Sequence, residues 1–589
     1  MDSSEIAVER SSFPNNFVFG AATSTYQVEG ALNADGEDSN ADGRNGRISL
    51  DRYNMFKEDV ALTKKVGLNS YRFSISWSRI LPRGKLIDGK GKSTEGIKYY
   101  SDLIDALLAQ GIEPWVTLFH WDVPQSLEDE YHGFLDRQIV KHFCEFAKTC
   151  FEEFGNRVKY WITLNEPWAF TYYKYVRGNF PPGAISILHR ICAMSIPHVT
   201  SSEGDPVREV DSSVGEPVRE LVATAQNLAH NTSSNGKPGT DPYTVAHNLI
   251  LAHARAVEIY RKYYQDRRQG KIGMTNVSPW FYPLEDNNQE DEEAASKALD
   301  FMLGWFVAPV TTGEYPPSMR NNIRGDRLPE FTEDEIKLVK GSYDFLGINY
   351  YTTYYVKNIR GNISQHHYDN DLHVEYHTHR NGKPIGQPAG WPWLYIYPEG
   401  IYHLMLYIRK KYKNPNIIIT ENGLDDVNSK ALTISKARID ETRIKYHKDH
   451  LAYLKKAIDQ DVRVKGYFIW SLIDNFEWAQ EYNVRFGIFY VDFLNGRLTK
   501  FPKRSAMWWM NFLKQPKKAG CRRHYPPLPT TYRRRNHLPN ITLHLIGLPN
   551  TTPLAEHGSI DKENNGSGLV KLLGLDDCAN LGNSVHACT

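Results

Sequence analysis

Two glutamates in this chain have the setting of a reacting pair. Thr163 to Pro167 reads TLNEP, and Ile419 to Gly423 reads ITENG. Tyr160, Trp161 and Ile162 lead into Glu166, and Ile417, Ile418 and Ile419 lead into Glu421. An apolar run that ends in an acid reads as a buried strand delivering a carboxylate at its C-terminal end. In a parallel barrel all such ends share one rim, and that rim is where barrel enzymes hold their reacting groups. Two facing carboxylates there are the equipment for splitting a glycosidic bond. One of them, Glu166, would have to stay protonated, which takes apolar burial or a neighbouring negative charge; Trp161 and Trp168 are candidates for its apolar wall. Glu421 would have to stay ionised. Arg72, inside the run YRFSISWSR, is the cation to hold it so, because a charge within a strand needs a partner. A lone glutamate after a strand is more often a helix-start or surface residue; two, each preceded or followed by Asn, favour chemistry.

A sugar needs many fixed polar partners, since each buried hydroxyl must be matched. Such groups recur at the other predicted strand ends. They are Gln27 in TSTYQVEG, His120 and Trp121 in TLFHWDVP, Asn349 and Tyr351 in GINYYT, and Trp470, Glu477 and Trp478 in WSLIDNFEW. Asn165, beside Glu166, is placed to hold a sugar 2-hydroxyl, a contact that strengthens in the transition state. Aromatics make up 12% of the chain, with 13 Trp and 35 Tyr. Many lie near these motifs, where their faces suit sugar rings and flat aglycones as well as ordinary core packing.

The elements that must position these groups alternate between β-rich runs and amphipathic helical stretches, the pattern of βα units and a parallel sheet. Eight candidate strands start near Phe17, Ser70, Pro114, Tyr160, Gly273, Phe345, Asn416 and Val464. Tyr53 to Val66 carries Phe56, Val60 and Thr63 at helical spacing. Arg137 to Phe154 carries Val140, Phe143, Ala147 and Phe151 on one face. The expected fold class is α/β, a single (β/α)8 barrel with long loop insertions, with a doubly wound open sheet as the weaker alternative. Residues 1–12 read as a flexible N-terminus, 13–515 as the barrel domain, and 184–238 as an irregular insertion within it. Residues 516–589 read as a tail, basic at first with Lys517, Lys518, Arg522, Arg523 and Arg533 to Arg535, then polar. So little of the tail is apolar that it is expected to be disordered.

Net charge is +1, from 70 basic and 69 acidic residues, which gives no pull towards nucleic acid or an anionic membrane. The six cysteines are scattered, with no CxxC pair, so neither a disulfide framework nor a metal site is indicated. No run of about 18 apolar residues calls for a spanning helix. The polar start MDSSEIAVERSS lacks the apolar core of a secretory signal. A cytoplasmic location is the expectation, with nuclear import through the basic tail as an alternative.

The motifs FxFGAATSTYQVEG, YRFSISWSRILP, TLFHWDVPQSLEDEY, TLNEPW, FMLGWFVAPVTTGEYP, GINYYT, ITENG and WSLIDNFEW together resemble the plant β-glucosidases of glycoside hydrolase family 1. The resemblance spans about Phe13 to Leu513. It implies Glu166 as acid/base, Glu421 as nucleophile, and Gln27, His120, Asn165, Glu477 and Trp478 as ligands of the sugar. Trp470 would be a platform under the ring, Tyr351 and Arg72 would tune the nucleophile, and Asn349 would support the site. It implies no cofactor and no metal, a small-molecule β-glucoside as the partner, and leaves a homo-oligomer open. The stretch from Asp371 to Met405 is similar to glucosidases of monoterpenoid indole and ipecac-type alkaloid glucosides, of the raucaffricine and strictosidine type. There Trp393 would pack on the aglycone, alkaloid-selective or simply part of the wall.

The reaction implied is hydrolysis of an O-β-glucosidic bond with retention, by double displacement. Transglucosylation by the same two glutamates is an alternative. A catalytically impaired homologue is another, because the segment after Gly30 lacks a Ser-Ile-Trp-Asp-type motif that family members carry.

Overall fold

The computed structural model describes residues 8–30, 50, 52–178, 237, 239–359, 366–429, 431–493 and 498–514. The chain divides into two units, Met1–Lys518 and Ala519–Thr589, and the described residues all fall in the first. The polar loop after Gly30, most of the irregular insertion, and the basic tail lie outside the described residues.

Eight strands close into a barrel: β1 (Val18–Ala22), β2 (Ser70–Ser74), β3 (Glu113–Phe119), β4 (Tyr160–Asn165), β5 (Lys271–Val277), β6 (Phe345–Asn349), β7 (Ile417–Asn422) and β8 (Val464–Trp470). Each pairs in parallel with its neighbours in sequence, and β1 pairs with β8 to complete the circle. Closure rules out the open doubly wound sheet. The strands are buried on both faces, which explains why runs such as Ile417-Ile418-Ile419 show no polar alternation.

Alternation persists in what each face meets. On β2 the Tyr71 ring lies 4.9 Å beneath the Arg52 guanidinium of the first outer helix, whereas Arg72 points inward to Glu421. The barrel's interior is filled, not hollow. Trp115 stacks on Tyr160 with centroids 4.0 Å apart and meets Phe345 and Phe468 edge-on at 5.4 and 5.3 Å. Ile162 and Ile418 complete this plug, a floor that carries the polar groups at the C-terminal rim.

Helices α1 (Arg52–Val66), α2 (Thr94–Ala109), α3 (Gln138–Phe154), α4 (Asp241–Tyr263), α5 (Gln289–Leu299), α6 (Glu399–Lys411), α7 (Glu441–Asp459) and α8 (Arg504–Leu513) are among those outside the sheet. Phe56, Val60 and Thr63 of α1 are buried, as are Phe143, Ala147 and Phe151 of α3; Val140 is half-buried at the edge of that face. Above the rim, Trp280–Pro283, Thr353–Asn358 and Val374–His377 form a three-stranded sheet. Gln387–Pro388 and Tyr395–Ile396 form a hairpin whose tip carries Trp391 and Trp393.

Candidate active site

Glu166 and Glu421 meet at the C-terminal rim of the barrel, on strands separated by β5 and β6. Glu421 is 4% exposed and Arg72 1%. Arg72 Nη1 donates to Glu421 Oε1 at 2.5 Å, and the Tyr351 hydroxyl donates to Oε2 at 2.7 Å. Both oxygens of this carboxylate thus have a donor, one of them cationic, which is the setting that keeps a buried acid ionised. Gly423 is required just beyond it: a Cβ there would lie 1.8 Å from the Trp470 carbonyl oxygen.

Glu166 stands under different conditions. It is 8% exposed, and its one neutral donor is Asn349 Nδ2, 2.6 Å from Oε1. Burial and the negative charge of Glu421 push its carboxyl up to about 8, with Asn349 and Arg72 opposing the rise. Its backbone is left-handed, φ 43° and ψ 60°, a conformation that costs a non-glycine residue on the order of 1–2 kcal/mol. The amide of Glu166 donates to the Thr275 carbonyl at 2.9 Å, and Pro167 starts a helical turn, Pro167–Thr171, immediately after. The strand's last bond and the helix's first residue thereby hold the side chain at the rim.

The orientation of Asn349 is fixed from below. Thr275 Oγ1 donates to Thr420 Oγ1 at 3.2 Å, and Thr420 Oγ1 donates to Asn349 Oδ1 at 2.7 Å, leaving Nδ2 for Glu166. A similar deduction fixes a histidine tautomer. Arg72 Nη2 has only protons to offer and lies 2.6 Å from Asn165 Oδ1, so Asn165 Nδ2 is the atom facing His120 Nε2 at 3.1 Å. An amide N–H donates, so Nε2 accepts and the ring proton sits on Nδ1. Burial and the Arg72 charge hold His120 well below its ordinary pKa, hence neutral. Its Nδ1 is buried without a partner among the described residues.

Gln27 and Glu477 lie on the opposite wall. Gln27 sits in the helical turn Thr25–Val28 after β1. Its Nε2 donates to Glu477 Oε2 at 2.7 Å, to Asn475 Oδ1 at 3.1 Å and to the Phe476 carbonyl at 3.0 Å. Trp470 Nε1 donates to Glu477 Oε1 at 3.1 Å. Burial pushes Glu477 up to about 8 against the Trp470 bond, with the charges of Glu421 and Asp425 adding to the rise. The rings of Trp470 and Trp478 lie nearly parallel to that of His120, at 21° and 14° and 6.1 Å between centroids. Trp478 also stacks on Tyr26 at 5.7 Å and 4° and contacts Trp121 at 4.5 Å. Trp121 Nε1 donates to the Asn165 carbonyl at 2.9 Å. Trp393, half-buried at the hairpin tip, meets Tyr351 edge-on at 5.7 Å and accepts from the Tyr354 hydroxyl through its carbonyl at 2.6 Å.

The structure therefore brings the two glutamates and the candidate sugar-site residues together at one rim. One attribution changes. Trp161 faces the outer layer, against Phe151 of α3 and Tyr260 of α4, because residues one apart on a strand face opposite ways. Trp168 stacks on Tyr172 at 4.7 Å and donates to the Tyr368 hydroxyl at 2.8 Å. Sequence reading missed Thr275, Thr420, Tyr26 and the strain at Glu166. Thr420 precedes Glu421 and shares its strand with it, the one signal that pointed to it.

Comparison with known proteins places these residues in a wider set. The profile of "Glycosyl hydrolase family 1" matches residues 9–518. The chain is 52% identical over 522 residues to the oleuropein β-glucosidase of Olea europaea, a match covering 86% of this chain and 90% of that protein. It is 47% identical over 520 residues to the raucaffricine-O-β-D-glucosidase of Rauvolfia serpentina, covering 86% and 91%. Among solved structures, a rice β-glucosidase superposes with a TM-score of 0.76 at 42% identity, over 86% of this chain and 100% of that one. A mutant of the same rice enzyme is known in a covalent complex with Glc.

Proposed function

The chain belongs to glycosyl hydrolase family 1 and is a β-glucosidase, and on that premise we propose that it hydrolyses the glucoside of a plant specialised metabolite with retention. The observation that carries the mechanism is the unequal condition of two buried carboxyls at one rim. Glu421 is clamped by Arg72 and Tyr351, while Glu166 is driven up to about 8 by burial and by Glu421 itself. Environments that push two acids apart assign their roles. Glu421 attacks the anomeric carbon, and Glu166 gives its proton to the leaving oxygen. The bond from Glu421 to the sugar forms as the bond to the aglycone breaks. Glu166, now ionised, takes a proton from water, and the resulting hydroxide-like oxygen displaces Glu421 with a second inversion.

The remaining groups hold the sugar. His120 Nδ1 donates to a hydroxyl, Gln27 and Glu477 bind at the far wall, and the Trp470 face lies under the ring. The aglycone lies against Trp393. A flat, aromatic aglycone gains most there, and a cationic amine gains from the ring face. The names of the oleuropein and raucaffricine glucosidases support a specialised-metabolite glucoside, the second an alkaloid one.

Glucose release from an aryl β-glucoside, compared with Glu421→Ala, tests the reading. Release by the parent alone supports it, and the same assay with oleuropein and raucaffricine ranks the aglycones. A folded parent that releases no glucose from any of them overturns it in favour of an impaired homologue.

A further inference from the structure

Behind the rim a chain of buried hydrogen bonds runs from one outer helix, α7, to the residue that holds Glu421. Tyr446, on α7, is fully buried. Its hydroxyl donates to the Tyr351 carbonyl at 2.9 Å and accepts from Asn422 Nδ2 at 3.0 Å. Asn422 Nδ2 also donates to the Tyr350 carbonyl at 2.6 Å, and its Oδ1 accepts from the Tyr467 hydroxyl at 2.5 Å. Tyr467 is in turn within 2.8 Å of His447 Nδ1. The Tyr446 ring packs on His450 with centroids 3.8 Å apart, and His450 Nδ1 bonds the Tyr446 carbonyl at 2.7 Å.

This arrangement grips both sides of Glu421. Asn422 is its neighbour on β7, and Tyr351 carries the hydroxyl on its Oε2. Tyr350 and Tyr351 lie past the end of β6, where the Tyr350 amide donates to the Glu421 carbonyl at 3.1 Å. The Tyr446 hydroxyl adds a second tie one residue further on, bridging Asn422 of β7 to the Tyr351 carbonyl. We propose that Tyr446 is a positioning residue for the glycosylation step, held by Asn422 and acting through Tyr351 to aim Glu421 at the anomeric carbon. It touches neither sugar nor reacting atom. The inference rests on Glu421 being the nucleophile.

An activated 2-deoxy-2-fluoro-β-glucoside, which labels the nucleophile covalently and turns over slowly, reads this step directly by mass. Tyr446→Phe keeps the ring and its packing and removes the hydroxyl. Labelling is expected to slow about ten- to a hundredfold, the scale of a small misplacement of reacting groups, while inhibition by glucose stays within about twofold of the parent. In a Tyr351→Phe background the same substitution is expected to add nothing, since its effect passes through Tyr351.

Labelling of Tyr446→Phe at the parent's rate overturns the proposal. So does an equal slowing in both backgrounds, which marks a general loosening of the barrel. If Tyr446→Phe does not fold, Tyr467→Phe interrupts the same chain one bond away and leaves the Tyr446 hydroxyl in place. It is expected to slow labelling a few-fold in the parent and not at all beside Tyr351→Phe; a rate unchanged from the parent overturns the proposal. A parent that takes no label at all marks instead the failure of the nucleophile assignment.

Discussion

Glu166→Gln should make the protein more stable at neutral pH while removing its proton donor. Glu166 rises on folding from 4.5 to about 8, chiefly through burial and then through Glu421. A carboxyl raised in the folded state contributes no penalty below its unfolded value, and the folded state loses stability as pH climbs from there to the folded value. At pH 7 the climb spans about 2.5 units at about 1.4 kcal/mol each, roughly 3 kcal/mol. Glutamine is neutral at every pH and its Oε1 can still accept from Asn349 Nδ2, so it escapes this penalty without leaving a bond unmade. For a barrel of about 500 residues the unfolding entropy is about 1 kcal/mol per degree, so the expected gain in Tm at pH 7 is about 3 °C. At pH 4.5 parent and variant should melt together to within about a degree, since little of the penalty has developed there. Parallel melts at the two pH values, at one scan rate, check this. An advantage equal at both pH values, or a variant less stable at pH 7, would refute the assignment of a raised acid. In the parent, about 90% of Glu166 is protonated at pH 7, so glucose release should hold near neutrality and fall above about pH 8. In the variant, glucosides with poor leaving groups should lose about a thousandfold or more, and activated aryl glucosides far less, since they need no proton.

Gly423→Ala places a methyl 1.8 Å from the Trp470 carbonyl oxygen. Both are backbone neighbours of the site, so activity on any glucoside should fall at least tenfold, with a Tm lowered by the 1–3 kcal/mol typical of overpacking, about 1–3 °C here. Trp393→Ala removes the aromatic wall above Tyr351. KM for a flat, bulky aglycone should rise about tenfold, with KM for a small alkyl glucoside changed less than twofold. Arg327→Ala strips Asp371 of its bidentate partner, at 2.7 and 2.6 Å, and the Gly239 carbonyl of its donor at 3.0 Å. A buried carboxylate left without its cation, with the Tyr243 hydroxyl still donating to it at 2.6 Å, should cost about 3–5 kcal/mol, read as a Tm drop with kcat unchanged in the surviving folded fraction.

The barrel was legible because its strands announce themselves. Each is a short apolar run closed by a polar residue, and the starts read from the sequence fall within two residues of those observed for all eight strands. The rim residues were legible for the same reason: polar groups at the ends of buried runs have nowhere to point but the site. What stayed hidden depends on register between distant segments. Thr420 and Thr275 look like ordinary strand threonines until β5, β6 and β7 are set side by side and their hydroxyls line up beneath Asn349. Tyr446 lies on a helix whose pattern shows only that one face is buried. Trp161 was misassigned because closeness in sequence to Glu166 says nothing about which face of the strand a side chain takes.

The site's charge follows from a shortage of cations. Three carboxyls, Glu166, Glu421 and Glu477, are each at least 92% buried, and Glu421 lies within electrostatic reach of the other two. Among the described residues, the cation that bonds any of them is Arg72, and it bonds Glu421. A buried carboxylate without a positive partner gives up its charge. Glu421 is therefore the charged member, and its charge then helps hold both neighbours protonated, Glu166 and Glu477 alike at about 8. In the proposed mechanism the nucleophile thus helps burial to maintain its own acid. In that mechanism, once Glu421 is spent in a bond to the sugar, its repulsion on Glu166 disappears and the pKa of Glu166 falls. The fall would come when Glu166 has just released a proton to the leaving aglycone, so that the acid turns into a stable carboxylate at the step where a base is needed. Replacing Glu421 by Gln should reproduce this state without substrate: Glu166, followed by carboxyl-selective NMR titration, should titrate below about 8 in the variant. A value unchanged from the parent would mean that burial alone raises Glu166, and that the two glutamates do not pass charge between them during the cycle.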